Sequence, residues 1–532
     1  MAVSRSTTVR LALAIAATVV MAACGSPEVL VVAERADRIP SVAAHADPSV
    51  DPSSDPSDPT GTDPTGTEPS DDSTIEPVDP IEPIDDPQAP QVDPALADPD
   101  AINFGDDKPP RSYDDFLLAS FVDIEAWLQA EFEPAFGQAF IPLEGEVFAG
   151  YPERADDIPG CGEPVTTYPD LQQFVAFYCP IGDFIVYDDG EDGLLARLAN
   201  EFGPATIGIV LAHEYGHAIQ SRTGALEQNL PTVITEQQSD CIAGAWAGRA
   251  ANDDAAAVEF TDDDIRAGMI AMITVQDPVG IDPTEAGGHG SGFDRVGAFQ
   301  VGFREGLGRC ALLIDEPLPL TPVEFTSNAD FANQGNAPFG FEPDQLFGFL
   351  VPDLNLLYDN DLQDRFPDFV PLDLVAVQSA DDIECVTPFG LFQLGVELCS
   401  ATNTVYLNEP VARARYNEFG DFAPGYLLGV AWAEHALVTG GSALRGEERQ
   451  LRNDCFVGAW VRTVTPDPDT LTLPQPRDAE RTASISPNDL TEAIQTAILI
   501  GDPTSTSDVL GSPFEKIDAF RRGTLGGFDA CS

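Results

Sequence analysis

Apolar positions along the chain fall into blocks separated by long polar stretches. Between residues 112 and 136, Phe116, Leu117, Phe121, Ile124, Trp127 and Leu128 recur at spacings of three and four, which predicts one or two helices with a buried stripe. Residues 174–188 alternate and are rich in aromatic and β-branched side chains around Cys179, which predicts a strand pair. Helical patterns resume over 194–222, 236–251 and 293–307. Before residue 111 the pattern is lost. From Gly25 to Pro110 the chain is dominated by Pro, Asp, Ser and Thr, in units such as Asp51-Pro52-Ser53-Ser54-Asp55-Pro56, with too few apolar side chains for a core. The expected fold class is α+β, mainly helical with a small sheet, after a disordered acidic linker over 24–110.

The pattern also repeats. Phe140-Ile141-Pro142-Leu143 recurs as Phe369-Val370-Pro371-Leu372, and Ala155-Asp156-Asp157-Ile158 before Cys161 recurs as Ala380-Asp381-Asp382-Ile383 before Cys385. Further along, Asn200-Glu201-Phe202-Gly203 matches Asn417-Glu418-Phe419-Gly420, and Asp240-Cys241 with Gly244-Ala245-Trp246 matches Asp454-Cys455 with Gly458-Ala459-Trp460. Collinear anchors of this kind predict two homologous domains in tandem, 111–315 and 316–532. Eight cysteines follow Cys24, four in each half. If both halves share one framework and sequence neighbours pair, the bridges are Cys161–Cys179, Cys241–Cys310, Cys385–Cys399 and Cys455–Cys531.

Charge and the N-terminus then limit the setting. The 532 residues hold 89 Asp and Glu against 26 Lys and Arg, a formal charge of −63, and the only lysines are Lys108 and Lys516. Such a chain has no basic stripe with which to release counterions from a polyanion, so nucleic acid is excluded as a partner. Arg5 and Arg10 precede an apolar run from Leu11 to Met21, and Ala22-Ala23-Cys24 follows. This reads as an export signal over 1–23, too short to span and remain in a bilayer. A cysteine directly after small residues resembles the lipobox of bacterial lipoproteins, in which Cys24 would be acylated. The expected location is therefore extracytoplasmic on a cell-membrane lipid anchor, or secreted if Cys24 is an incidental cysteine.

The chemistry is concentrated in Val210-Leu211-Ala212-His213-Glu214-Tyr215-Gly216-His217. On a helix, His213 and His217 leave the same face one turn apart, as two ligands of one Zn²⁺ must, and Glu214 is a carboxylate placed to take the proton of a zinc-bound water. A third ligand is required, and Glu236, 19 residues after His217, is the candidate. Asp240, one turn later, would accept the other ring N–H of a ligand histidine.

Four blocks carry a resemblance: Phe177-Tyr178-Cys179-Pro180, the His213–His217 motif, Ser239-Asp240-Cys241-Ile242-Ala243-Gly244-Ala245-Trp246, and His289-Gly290-Ser291 with Phe293 to Gly302. In this order they resemble the neutral zinc metallopeptidase family of bacteria. The resemblance covers roughly 113–310 and implies a zincin-like domain with a gluzincin-like site. Its ligands would be His213, His217 and Glu236, with Glu214 as catalytic base. His289, after Gly287-Gly288, could stabilise the oxyanion of a tetrahedral intermediate, a role Tyr215 could also fill. Aligning the repeats sets Val430, Ala431 and Glu434 opposite His213, Glu214 and His217, and Gln450 opposite Glu236. The second half is thus expected to be a degenerate copy without zinc ligands that could cover the cleft, brace the first half or bind a protein partner.

The expected function is that of a lipid-anchored zinc peptidase acting on peptides or proteins. The alternative is a non-catalytic envelope lipoprotein with a structural zinc and a binding second domain.

Overall fold

The computed structural model of this protein describes residues 32–35 and, with short interruptions, residues 90–531. The expected export signal, Cys24 and most of the expected linker lie outside the described residues. Among the described residues no helix is long and apolar enough to cross a membrane.

The stripe over 112–136 folds as a single helix, α1 (Asp114–Phe136), closed by Gly137 in the left-handed conformation. Helix is also formed over 194–222, but in two pieces, α2 (Leu194–Phe202) and α3 (Ala205–Thr223). Gly203 at φ 105° and the missing N–H of Pro204 interrupt the hydrogen-bond ladder there. Helix α4 (Thr232–Ala251) begins directly after Pro231, four residues before its predicted start, so Glu236 lies inside the helix and not at its cap. Two more helices follow, α5 (Asp262–Thr274), entered through a Thr261–Asp264 capping box, and α6 (Gly292–Glu305), capped by Ser291.

The predicted strand pair is an antiparallel hairpin within a sheet of four strands. These are β1 (Val32–Arg35), β2 (Val147–Gly150), β3 (Phe174–Cys179) and β4 (Phe184–Asp188), in the order β1-β3-β4-β2, with β2 parallel to β4. Two parts of the expected linker therefore belong to the folded body. Val32–Arg35 supplies an edge strand, and the chain is ordered onto the domain from residue 90. Gln91–Val92 pairs with Val258–Glu259, Ile102 is buried, and Lys108 reaches Asp114 at 2.6 Å and Asp189 at 3.1 Å. Ile102, Phe104 and Lys108 provide the apolar and cationic side chains that the preceding Pro-Asp units lack.

Beyond residue 316 the same kinds of element return in the same order. Helix α7 (Leu346–Leu356) leads into strands β5 (Asp373–Val377), β6 (Val396–Cys399) and β7 (Thr404–Asn408), where β6 and β7 form an antiparallel hairpin and β5 runs parallel to β7. Helices α8 (Glu409–Phe419), α9 (Phe422–Thr439), α10 (Gly446–Val464), α11 (Asp489–Ile500) and α12 (Pro513–Gly526) complete it. Cys161–Cys179, Cys241–Cys310, Cys385–Cys399 and Cys455–Cys531 each stand at disulfide distance. Trp246 donates its indole N–H to Asp123 of α1 at 3.0 Å, and Trp460 donates to Asp353 of α7 at 3.1 Å.

One apolar core runs through both halves. Helix α6 is shared between them. Arg521 of α12 lies over the Phe293 ring at 4.2 Å and donates to the Phe293 carbonyl, Phe520 meets Phe293 edge-on, and Gln300 donates to the Phe514 carbonyl at 2.8 Å.

On its other side α6 crosses α4 at backbone contact, because Gly302 faces the Cys241 carbonyl and Gly244 faces the Phe299 carbonyl. A Cβ at Gly302 would overlap that carbonyl beside the Cys241–Cys310 bridge. Gly302→Ala is accordingly expected to cost about 2–3 kcal/mol by forcing the two helices apart. A lowered urea midpoint with unchanged slope checks this, and an unchanged midpoint would contradict so close a crossing.

Candidate metal centre

Helix α3 is buried on all sides from Ala205 to Gln220, so its two histidines enter a site already withdrawn from water. Gly216, between them, lets α4 approach. A Cβ there would lie 2.8 Å from the Ser239 Cα, and this closeness brings the third and fourth turns of α3 against the first half of α4. Glu236 and Asp240 then project from α4 onto the histidine face, one turn apart.

His213 Nε2 and His217 Nε2 stand 3.1 Å apart. Glu236 faces them, with one carboxylate oxygen 3.2 Å from His213 Nε2 and the other 3.5 Å from His217 Nε2. Glu236 is wholly buried, and neither of its oxygens receives a hydrogen bond. Partners on the other ring nitrogens fix the tautomers. His213 Nδ1 is 2.7 Å from Asp240 Oδ1, and His217 Nδ1 is 3.0 Å from Gln220 Oε1 and 3.1 Å from Ser239 Oγ. Because the Gln220 amide nitrogen donates to the Thr235 carbonyl at 2.6 Å, its oxygen is the atom turned to His217. Each imidazole thus carries its proton on Nδ1 and directs a lone pair from Nε2 toward the other and toward a carboxylate.

Such a convergence of electron pairs is repulsive unless a cation lies among them. Zinc with bonds of about 2.0–2.1 Å to nitrogen and oxygen holds tetrahedral donors roughly 3.3 Å apart. The three observed separations match that edge length, so the residues fit the ion that the motif implies. Electrostatics agree with the geometry. Burial raises the Glu236 carboxyl, but with no ion bound the positive charge of protonated His217, His289 and His213 outweighs it and holds the group well below the usual carboxylate range, so the acid favours a cation among the rings.

Asp240 is buried with its carboxylate shared between His213 and Arg295 of α6. The guanidinium reaches Oδ1 at 2.8 Å and Oδ2 at 3.1 Å, and its other end donates to the Val275 carbonyl at 2.7 Å. Burial raises this acid too, and the Arg295 charge followed by His213 brings it below its ordinary value. Arg295, Gln220 and Ser239 were not singled out from the sequence. Gln220 stands at i+3 from His217, a spacing that places it beside the ring, whereas Arg295 lies 55 residues from Asp240 and leaves no local signal.

Glu214 is fully buried on α3 next to His213. His289 is buried on the loop before α6 and is near enough to Glu236 to depress its carboxyl. Its ring Nδ1 lies 3.3 Å from Asp277 Oδ1, while Asp277 Oδ2 accepts from the backbone N–H groups of His289 and Gly290 at 2.7 and 2.8 Å. Tyr215 is not at the centre. Two residues past His213 it points to the opposite side of α3, where its hydroxyl donates to Glu125 at 2.9 Å and its ring lies among Phe121 and Phe140.

In the second half α9 carries Val430, Ala431 and Glu434, the residues expected from the sequence alignment to stand opposite His213, Glu214 and His217. Arg449 of α10 grips Glu434 with contacts of 2.6 and 2.7 Å, and Asn453 adds a third at 3.0 Å. A guanidinium thus neutralises the acid that the sequence alignment of the halves sets opposite His217. His435 Nε2 donates elsewhere, to the Val370 carbonyl 3.1 Å away.

Comparison with known proteins places these features. Residues 172–310 match the model of a family described as "Putative neutral zinc metallopeptidase". Uncharacterized proteins from Mycobacterium tuberculosis and Mycobacterium bovis are 31% identical over 168 residues, covering 28% of this chain and 55% of theirs. The chain spans about half the length of these curated relatives. No solved structure matches.

Proposed function

We propose that the chain is a zinc-dependent peptidase whose active centre is His213, His217, Glu236 and Glu214. The observation that carries this reading is the buried triangle of two Nε2 atoms and the Glu236 carboxylate, with Asp240 and Gln220 fixing the ring tautomers. Zinc, when bound, supplies a Lewis acid that polarises a scissile carbonyl and brings the pKa of water to about 7. The chain's own residues do the rest. His213, His217 and Glu236 would hold the ion. Glu214 takes the proton from the attacking water and passes it to the departing amine. Asp277 orients the His289 imidazole through Nδ1, and in its protonated form the ring would donate its Nε2–H to the substrate oxygen on which charge develops.

Residues 316–532 are read as a related copy that has lost the metal. The shared hairpin-plus-parallel-strand sheet, the two disulfides per half, the paired Trp-to-Asp bonds and the Arg449–Glu434 pair support this. Peptides or proteins outside the cytoplasm are the proposed substrates, with Cys24 as the lipid attachment point. The lipobox-like segment and the cysteine pairs favour that location.

The test is metal dependence. Purified protein is expected to carry one zinc per chain, to cleave members of a mixed peptide library, to lose cleavage on chelation, and to regain it when zinc is returned. Zinc-loaded protein that cleaves no peptide would instead favour a structural ion in a binding protein.

A further inference from the structure

A second group of ligand-type side chains lies in the C-terminal half, away from the zinc triangle. Asp421 precedes α9, and Asp489 and Glu492 occupy the first turn of α11. All three are buried, and one oxygen from each lies within 4.8 Å of the others. No Lys or Arg among the described residues pairs with any of them. Each carboxylate is anchored on one side by a backbone N–H. Ala337 donates to Asp421 Oδ2 at 2.7 Å, Ser486 to Asp489 Oδ2 at 2.8 Å, and Phe422 to Glu492 Oε2 at 2.9 Å.

The remaining oxygens of the two aspartates are the decisive feature. Asp421 Oδ1 and Asp489 Oδ1 receive no hydrogen bond, although the residues are only 6% and 5% exposed. Both residues line one small cavity, together with Phe422, Trp460 and Ser484. Glu492 is held in place because its carboxylate packs on Gly420, where any Cβ would collide with it. Ordinary helix capping accounts for the anchored oxygens alone. It leaves two buried, unpartnered oxygens and three like charges uncompensated, which is costly in a low-dielectric interior. Burial raises all three carboxyls; the Asp421 charge adds to it at Asp489 and Glu492, and the nearby Asp330 adds to it at Asp421.

We propose that Asp421, Asp489 and Glu492 form a binding site for a hard divalent cation, Ca²⁺, distinct from the zinc centre and joining α9 to α11. An all-oxygen, carboxylate-rich set suits Ca²⁺ and not zinc, and the adjoining cavity leaves room for water to complete its coordination. The site belongs to the second half alone. Asn200-Glu201-Phe202-Gly203 is followed by Pro204, where Asn417-Glu418-Phe419-Gly420 is followed by Asp421. The inference does not depend on the zinc reading.

Terbium luminescence tests it directly, since Trp460 on the cavity wall can sensitise Tb³⁺. Full-length, zinc-loaded protein is expected to bind one Tb³⁺ with sensitised emission that Ca²⁺ displaces, and Ca²⁺ is expected to raise Tm by roughly 5 °C. Asp489→Asn, which keeps an acceptor for the Ser486 N–H, should lose at least about tenfold in cation affinity and show no Ca²⁺ response. Without Ca²⁺ its Tm should equal or exceed that of the wild type, which a misfolded variant could not do. Asp421→Asn should behave alike. Emission that persists in both variants would mean adventitious surface binding. A wild type indifferent to Ca²⁺ would mean that the acids hold protons instead, and either result overturns the proposal.

Discussion

Glu214→Gln is expected to lower kcat/KM for peptide hydrolysis by ~10²–10⁴-fold while leaving bound zinc and Tm unchanged. Glutamine has nearly the same shape and fills the same buried position beside His213, so the packing of α3 is kept. It cannot accept a proton from water, so the step that makes the nucleophile fails. Glu214 does not belong to the triangle formed by His213 Nε2, His217 Nε2 and Glu236, so metal content should stay at one per chain. Measuring zinc and turnover on the same sample separates the outcomes. Loss of both would mean that Glu214 supports the ion, and retention of both would remove it from the mechanism.

Asp240→Ala is expected to have the largest effect on stability, about 3–5 kcal/mol, together with a 10- to 100-fold loss in zinc affinity. The carboxylate is bonded through both oxygens to the wholly buried Arg295, and it also holds the His213 ring in the tautomer that frees Nε2. Removing it takes a two-oxygen anionic partner from a buried guanidinium and lets the imidazole turn. Denaturant unfolding gives the first quantity, and competition with a chromophoric zinc chelator gives the second. A stable variant with unaltered zinc affinity would show that Arg295 finds another partner and that the ring is positioned by packing alone.

Much of the metal centre was legible because helical periodicity is a local property. The four-residue spacing of His213 and His217 puts both rings on one face whatever surrounds them. The following Glu and Asp share their own four-residue spacing, so that once α4 packs on α3 both acids arrive together. What local pattern could not reveal was the long-range network. Arg295 and Asp277 act through contacts set by the α4–α6 crossing and by the loop before α6, neither of which has a periodic signature. The fold follows the same division. Blocks with strong spacing became α1, α3, α4 and α6, while the break at Gly203–Pro204 was hidden by apolar residues on both sides. The folded segment from residue 90 was obscured because Pro and Asp dominate its composition, and it is held by a handful of pairings rather than by a stripe.

The shared helix α6 has a consequence for how the chain can be shortened. Arg295, which steadies the acid behind a zinc ligand, sits on a helix whose opposite side rests on Phe520 and the buried guanidinium of Arg521. Cutting the chain at residue 315 would strip that side to solvent and slacken the mount of the very ligand it supports. On the proposed reading the C-terminal half, although it carries none of the three ligands, braces the metal centre through this helix, and a chain ending at residue 315 is expected to hold zinc less tightly than the full chain.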